Sequence, residues 1–231
     1  QRFIVFLRPL GLRLILKASG LSTVISASEE TDAAQSVRDF EGYQAAGVLP
    51  LVGQWNTHTY SATTQARSQI SALCKEQGIR LWMSEVGSGG SGIAGNLNLA
   101  QKLMDDIRYI MPVAWVDWQY VEEGNDQWCL VQGDFTKQTY HKVKNYSIRQ
   151  HFSKFIRPGY TFLTSLNGQT LAARNPEGDS LIIVAINPNA LPVVHRADLS
   201  FYESISSELT ALRSSETEDL SPTAMWARML A

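Results

Sequence analysis

Short β-rich runs alternate with helical stretches through the first two-thirds of the chain. Leu21 to Ala27 (Leu-Ser-Thr-Val-Ile-Ser-Ala) is rich in β-branched residues and ends at the polar Ser28-Glu29-Glu30, a pattern that predicts a strand. Thr31 or Asp32 caps a helix running through Gln35, Val37 and Phe40 towards Ala46. A second strand lies within Leu49 to Thr59, and a second helix runs from Thr63 to Gln77, where Gly78 stops it. Ile79 to Val86 is a third strand, followed by a glycine-rich loop from Gly87 to Gly95. Asn96 to Ile110 reads as a helix with Leu97, Ala100, Leu103, Met104 and Ile107 on its apolar face, ended by Pro112. Val113 to Tyr120 is a fourth strand, and Thr139 to Phe155 a fourth helix after a long polar loop.

The period changes after Pro158-Gly159. Tyr160 to Leu166, Thr170 to Asn175 and Ser180 to Asn187 are short strands separated by the turn signals Asn167-Gly168 and Pro176-Glu177-Gly178-Asp179. An all-β module is expected there, such as a β-sandwich that is incomplete at its C-terminus. The boundary near residue 157 divides the chain into an α/β part, 1–156, and a β part, 157–231. Four strand–helix units in a row point to a parallel sheet with helices outside it. Four units are half of a (β/α)8 TIM barrel, which takes about 250 residues when whole. An open flavodoxin-like sheet is the alternative, but no Gly-rich phosphate loop follows the first strand.

Composition narrows the classes. With 44% hydrophobic and 18% charged residues the chain is an ordinary globular sequence, and a net charge of −2 offers no basic field for nucleic acid. Phe3 to Leu16 is apolar, but Arg8 and Arg13 interrupt it, so neither a membrane span nor a secretory signal is expected; a buried or misfitting helix end is. The first residue is Gln1 and not Met, as in a processed chain or a piece of a longer one. Cys74 and Cys129 lack metal-ligand spacing and could either bridge or stay thiols. Six Trp and eight Tyr leave room for aromatic platforms of the kind on which sugar faces stack.

In a barrel the reacting groups sit at the C-terminal ends of strands. Counting by twos in the third strand puts Leu81, Met83 and Glu85 on one face, with Glu85 last, just before the glycine-rich loop. A carboxylate at the rim of an apolar core is costly unless paired or functional, so Glu85 is either a functional group or a salt-bridged or capping glutamate. In the second strand Gln54, Asn56, His58 and Tyr60 share one parity, which puts His58 and Tyr60 beside Glu85. There a tyrosine hydroxyl could hold the carboxylate and a histidine could bond sugar hydroxyls; taken alone, His58 is as well explained as a satisfied polar neighbour. In the fourth strand either Ala114, Val116, Trp118 and Tyr120 or Trp115, Asp117 and Gln119 face inward; the first set is preferred, with Trp118 at the rim as a sugar platform.

Four strings occur in order: Asn56-Thr57-His58-Thr59-Tyr60, Leu81-Trp82-Met83-Ser84-Glu85-Val86-Gly87, Trp115-Val116-Asp117-Trp118-Gln119-Tyr120 and Phe152-Ser153-Lys154-Phe155-Ile156-Arg157-Pro158-Gly159. Together they resemble glycoside hydrolase family 30, and within it the fungal endo-β-1,6-galactanases, over about residues 20–189. The resemblance implies a (β/α)8 barrel with a side β-sandwich and a retaining mechanism. It makes Glu85 the nucleophile at the end of the seventh barrel strand, with His58 and Tyr60 at the end of the sixth, Glu29 and Glu30 after the fifth, and Trp118 at the end of the eighth. Glu29, Glu30, His58, Tyr60 and Trp118 are then the substrate-binding candidates. No metal or organic cofactor is implied, the expected partner is a polysaccharide or oligosaccharide, and the expected location is extracellular; nucleic acid and membrane partners are not expected.

A retaining glycosidase needs two carboxyl groups about 5–5.5 Å apart. The family's acid/base follows an Asn at the end of the fourth strand, and no Asn-Glu pair occurs in this sequence. The resemblance therefore implies the second half of the barrel, without the part that carries the acid/base. Glu29, Glu30, Glu122 and Glu123 are better read as loop carboxylates than as its replacement. Residues 1–19 fit the family poorly. The rival reading is an inactive fragment or carbohydrate-binding remnant whose open strand edges are covered by an N-terminal partner or by self-association. Within the family, β-1,6-glucanase and glucuronoxylanase compete; the loop from Val121 to Asp134 has no arginine to pair with a glucuronate, against the latter.

Overall fold

The computed structural model describes residues 11–12, 14–90, 92–165, 167–200, 202, 204 and 209–223. They fall into two compact units, one within 1–87 and 105–118 and the other within 88–104 and 119–231.

The first unit is built on a parallel sheet of β1 (Ile25–Glu30), β2 (Val52–His58), β3 (Arg80–Val86) and β4 (Ala114–Asp117), in the order β1-β2-β3-β4. Helices α1 (Ala33–Ala45) and α2 (Thr64–Glu76) make the crossovers after β1 and β2, and α3 (Ile93–Tyr109) follows β3. Helices α1 and α2 each begin where an oxygen side chain meets orphan backbone N–H groups. Asp32 Oδ1 accepts from the Ala34 and Gln35 amides at 2.8 and 3.0 Å, and Thr63 Oγ1 from the Ala66 amide at 3.1 Å. Gly78 follows α2 with φ +65°, a left-handed conformation that glycine adopts without a steric penalty.

One face of the sheet packs on these helices. Ala27, Trp55, Leu81, Met83 and Val86 share a core with Val37, Phe40 and Tyr43 of α1 and Ala66, Ile70 and Cys74 of α2. Trp55 is its centre: Phe40 and Tyr43 present their rings edge-on at 4.9 and 5.3 Å, and the indole N–H, which must find a partner when buried, donates to Ser36 Oγ at 2.8 Å. Trp115 of β4 packs on the same side, which leaves Ala114 and Val116 for the other face, as preferred from the sequence.

Two β-bulges near the C-terminal ends of the strands break the alternation, in matching places. In β1, Ser28 pairs with Asn56 and Glu30 with Thr57, leaving Glu29 as the extra residue at φ +73°. In β3, Met83 pairs with Thr57 and Glu85 with His58, leaving Ser84 extra. Counting by twos therefore fails in β3: Leu81 and Met83 belong to the helix-side core, and Glu85 does not share their face. A bulge re-aims side chains locally. Here each one sets a Ser-Glu pair, Ser28-Glu29 and Ser84-Glu85, between two helix-side positions.

In the second unit, β5 (Val121–Glu123), β6 (Val131–Asp134) and β7 (Thr139–Lys142) form a small sheet, β5 parallel and β7 antiparallel to β6. The segment read from sequence as a polar loop is thus partly strand. The helix expected from Thr139 begins only at Lys144, because Thr139 to Lys142 pair with β6; the observed helix is α4 (Lys144–Ser153). The strands β8 (Thr161–Leu163), β9 (Thr170–Arg174) and β10 (Leu181–Ala185) form an antiparallel meander, with Asn167-Gly168 and residues 176–179 in the turns. A two-residue ladder pairs β11 (Leu212–Arg213) with β12 (Ser221–Pro222).

Cys74 and Cys129 are free and buried. The expectation for residues 3–16 falls mostly outside the described residues; residues 11, 12 and 14–18 are helical, and Leu12, Leu14 and Ile15 are exposed, not buried.

Candidate active site

The C-terminal ends of β1, β2 and β3 bring Glu29, His58, Tyr60 and Glu85 together. The Tyr60 hydroxyl donates to Glu85 Oε1 at 2.9 Å. His58 stands between two carboxylates, its Nε2 3.2 Å from Glu29 Oε2 and its Nδ1 3.6 Å from Glu85 Oε1. The first distance suits a hydrogen bond from the imidazole; the second is too long for one but close enough for charge to be felt. An ionised carboxylate only accepts, so the bond to Glu29 requires the proton on Nε2.

Glu29 is held by more than histidine. Asn56 Nδ2 donates to Glu29 Oε1, and Ser84 Oγ donates to Glu29 Oε2 at 2.7 Å. Asn56 in turn donates to Ser26 Oγ at 2.7 Å and accepts from Gln54 Nε2 at 2.9 Å. Glu29 is thus a fixed acceptor across three strands, and its left-handed backbone is what turns it towards them. The Glu85 side chain keeps 28% of its surface open, enough for a small ligand to reach it, whereas His58 keeps 11%. Burial, and then the bond to Glu85, push the Tyr60 hydroxyl above the ordinary tyrosine range, so it stays a donor at neutral pH.

Glu30 is not brought to this cluster. It lies past the bulge in register with Thr57, where its carboxyl meets Asp39 of α1. Burial first, and then the Asp39 bond and the Asp39 and Asp32 charges, raise it to about 7. Trp118 follows β4, its amide donating to the Val86 carbonyl at 3.1 Å, and its indole is about half exposed. Among the described residues no three His, Cys, Asp or Glu side chains gather as metal ligands.

Behind the cluster lies a group that sequence reading missed. Asp106 of α3 is fully buried and accepts from Thr59 Oγ1 at 2.9 Å, Arg67 Nε at 2.7 Å and Trp115 Nε1 at 2.9 Å. Burial raises its carboxyl above the usual range, opposed by these three donors. Asn56 and Ser84 were also missed as partners; the parity Asn56 shares with His58 was the available signal for one of them.

No protein-family model matches the chain. An endo-β-1,6-galactanase of Hypocrea rufa is 27% identical over 173 residues, 74% of this chain and 35% of that protein. An exo-β-1,6-galactobiohydrolase of Bifidobacterium longum subsp. longum is 31% identical over 108 residues, 44% of this chain and 7% of that protein. A glycoside hydrolase family 30 endoxylanase from Clostridium papyrosolvens C71 superposes with a TM-score of 0.68 at 17% identity, covering 94% of this chain and 54% of that one. The likeness is to glycoside hydrolase family 30. The relatives are named as glycoside hydrolases, and the chain's α/β fold with a parallel sheet resembles part of the fold of that family's solved enzymes. The chain spans about a third of the length of the family relative it matches over most of its own.

Proposed function

We propose that the chain carries the nucleophile half of a retaining endo-glycoside hydrolase acting on β-1,6-linked galactan, with Glu85 as the nucleophile. The observation that carries this reading is the Glu85 carboxylate at the end of a parallel strand, accessible and engaged by the Tyr60 hydroxyl at 2.9 Å. In the proposed first step Glu85 attacks the anomeric carbon and forms a glycosyl ester, while the glycosidic C–O bond breaks and the leaving oxygen keeps its electron pair and takes a proton from the acid/base. Tyr60 holds Oε1, so that the other oxygen is presented to the sugar. His58 binds hydroxyls, and Trp118 floors the sugar.

The consecutive order β1-β2-β3-β4, with crossover helices, supports reading the sheet as strands five to eight of a (β/α)8 barrel. The β8–β10 meander supports a β-sandwich side domain in 157–231, after a barrel part in 1–156. In this reading the acid/base is a residue outside the present sequence, since no Asn-Glu pair occurs in it and three donors already occupy Glu29. The linkage is taken from the two curated relatives, both named for β-1,6-galactan chemistry. Secretion belongs to the same proposal and rests on the family likeness; among the described residues no helix is long and apolar enough to cross a membrane.

The test uses a 2-deoxy-2-fluoro-β-galactoside with a dinitrophenolate leaving group, which departs without acid assistance. A stable adduct on the chain, measured by intact mass, is expected. Its absence, with binding of β-1,6-galacto-oligosaccharide retained, would favour the carbohydrate-binding remnant instead.

A further inference from the structure

We infer that the buried Asp106–Arg67 ion pair is a positioning device for the nucleophile, acting through the turn that carries Tyr60. This inference rests on the reading of Glu85 as nucleophile. Tyr60 lies in the turn from Thr59 to Ala62, and the pair grips that turn at both ends. Asp106 accepts from the Thr59 hydroxyl at 2.9 Å, and Arg67 Nη1 donates to the Ala62 carbonyl at 2.6 Å. The two grips are joined by the Arg67 Nε to Asp106 Oδ1 bond at 2.7 Å.

Burial makes the arrangement stiff. Asp106 and Thr59 have no exposed surface and Arg67 has 7%, so a shift of the turn would leave a charge or a hydroxyl unpaired away from water. The third donor, Trp115 Nε1, reaches the same carboxylate from β4, at the oxygen that Thr59 also uses. A hydroxyl placed by a locked segment meets its carboxylate without reorganisation, and small misplacements near a reacting atom are expensive in rate. Arg67 and Asp106 come from helices α2 and α3, so the device ties the reacting strand ends to the helical layer.

Thr59→Val removes one grip and leaves Asp106 its other two donors. In the full chain, two readouts follow each variant: the rate of adduct formation with the fluorogalactoside, and the pH titration of Tyr60, followed by NMR of tyrosine labelled at Cζ and assigned with Tyr60→Phe. Thr59→Val is expected to slow adduct formation roughly tenfold and to bring the Tyr60 titration down towards an ordinary tyrosine. Thr59→Ser restores both. Trp115→Phe, which removes the donor on β4 and keeps both grips on the turn, lowers the melting temperature comparably and leaves the Tyr60 titration raised. A Tyr60 titration unmoved by Thr59→Val, or moved equally by Trp115→Phe, overturns the inference. If the parent chain forms no adduct but Tyr60 titrates as expected, the nucleophile reading fails and the positioning of Tyr60 by Asp106 stands.

Discussion

Tyr60 and Glu85 meet across neighbouring strand ends, the hydroxyl donating to Oε1 at 2.9 Å. Nothing in sequence spacing enforces that distance. It arises because a bulge at Ser84 brings Glu85 opposite His58, two residues before Tyr60. Tyr60→Phe deletes the donor and keeps the ring. A hydrogen bond to a charged group contributes about 1.5–3 kcal/mol, so the rate of adduct formation should fall roughly ten- to hundredfold. The thermal midpoint should hardly move, since Phe retains the packing of the ring against the core.

Arg67 and Asp106 form a buried pair, and removing Arg67 alone should be worse than removing both. Arg67→Ala leaves Asp106 without its cation and is expected to cost about 3–5 kcal/mol in a urea unfolding series. The double replacement Arg67→Met with Asp106→Leu removes the unpaired charge but leaves the Thr59 hydroxyl and the Trp115 N–H without their acceptor, so it should recover only part of that loss. Equal losses in the single and double variants would show that the charge is not what makes the single change costly.

Glu30 gives a pH dependence of stability. Its folded-state value of about 7 lies above the ordinary 4.5, so between these pH values the folded chain binds more protons than the unfolded one. The contribution is fully present below about pH 4.5 and is lost as pH rises through about 7. Glu30→Gln removes the ionisation and should raise the melting temperature at pH 8 relative to the parent, with little difference at pH 4. Asp39, Asp32 and Tyr43 are the other titratable groups facing this carboxyl, and all remain in the variant.

The order of strands and helices was legible because the apolar period changes from two to about 3.6 at each junction, and because Asp32, Thr63 and Gly78 mark helix ends chemically. The placement of Glu85 beside Tyr60 and His58 was reached from the sequence, but the parity argument that led there was wrong in β3. A bulge is a property of register between strands, and the extra residues Glu29 and Ser84 carry no local mark of it. For the same reason Glu29 and Glu30, adjacent and alike in sequence, part company: one binds His58 and the other meets Asp39. The small sheet of β5, β6 and β7 escaped because strands of three or four residues are held by their partners and show little alternation of their own. Asp106 looked like any acidic residue on an amphipathic helix; the side chains that bury it, Thr59 and Arg67, lie 47 and 39 residues away.

Peptide mapping of the chain after reaction with the dinitrophenyl 2-deoxy-2-fluoro-β-galactoside bears most directly on the role of Glu85. One fluorogalactosyl group per chain is expected on the peptide containing Leu81-Trp82-Met83-Ser84-Glu85-Val86, with no label in Glu85→Gln. Label on Glu29, on any other carboxylate, or undiminished in Glu85→Gln would contradict the assignment of the nucleophile.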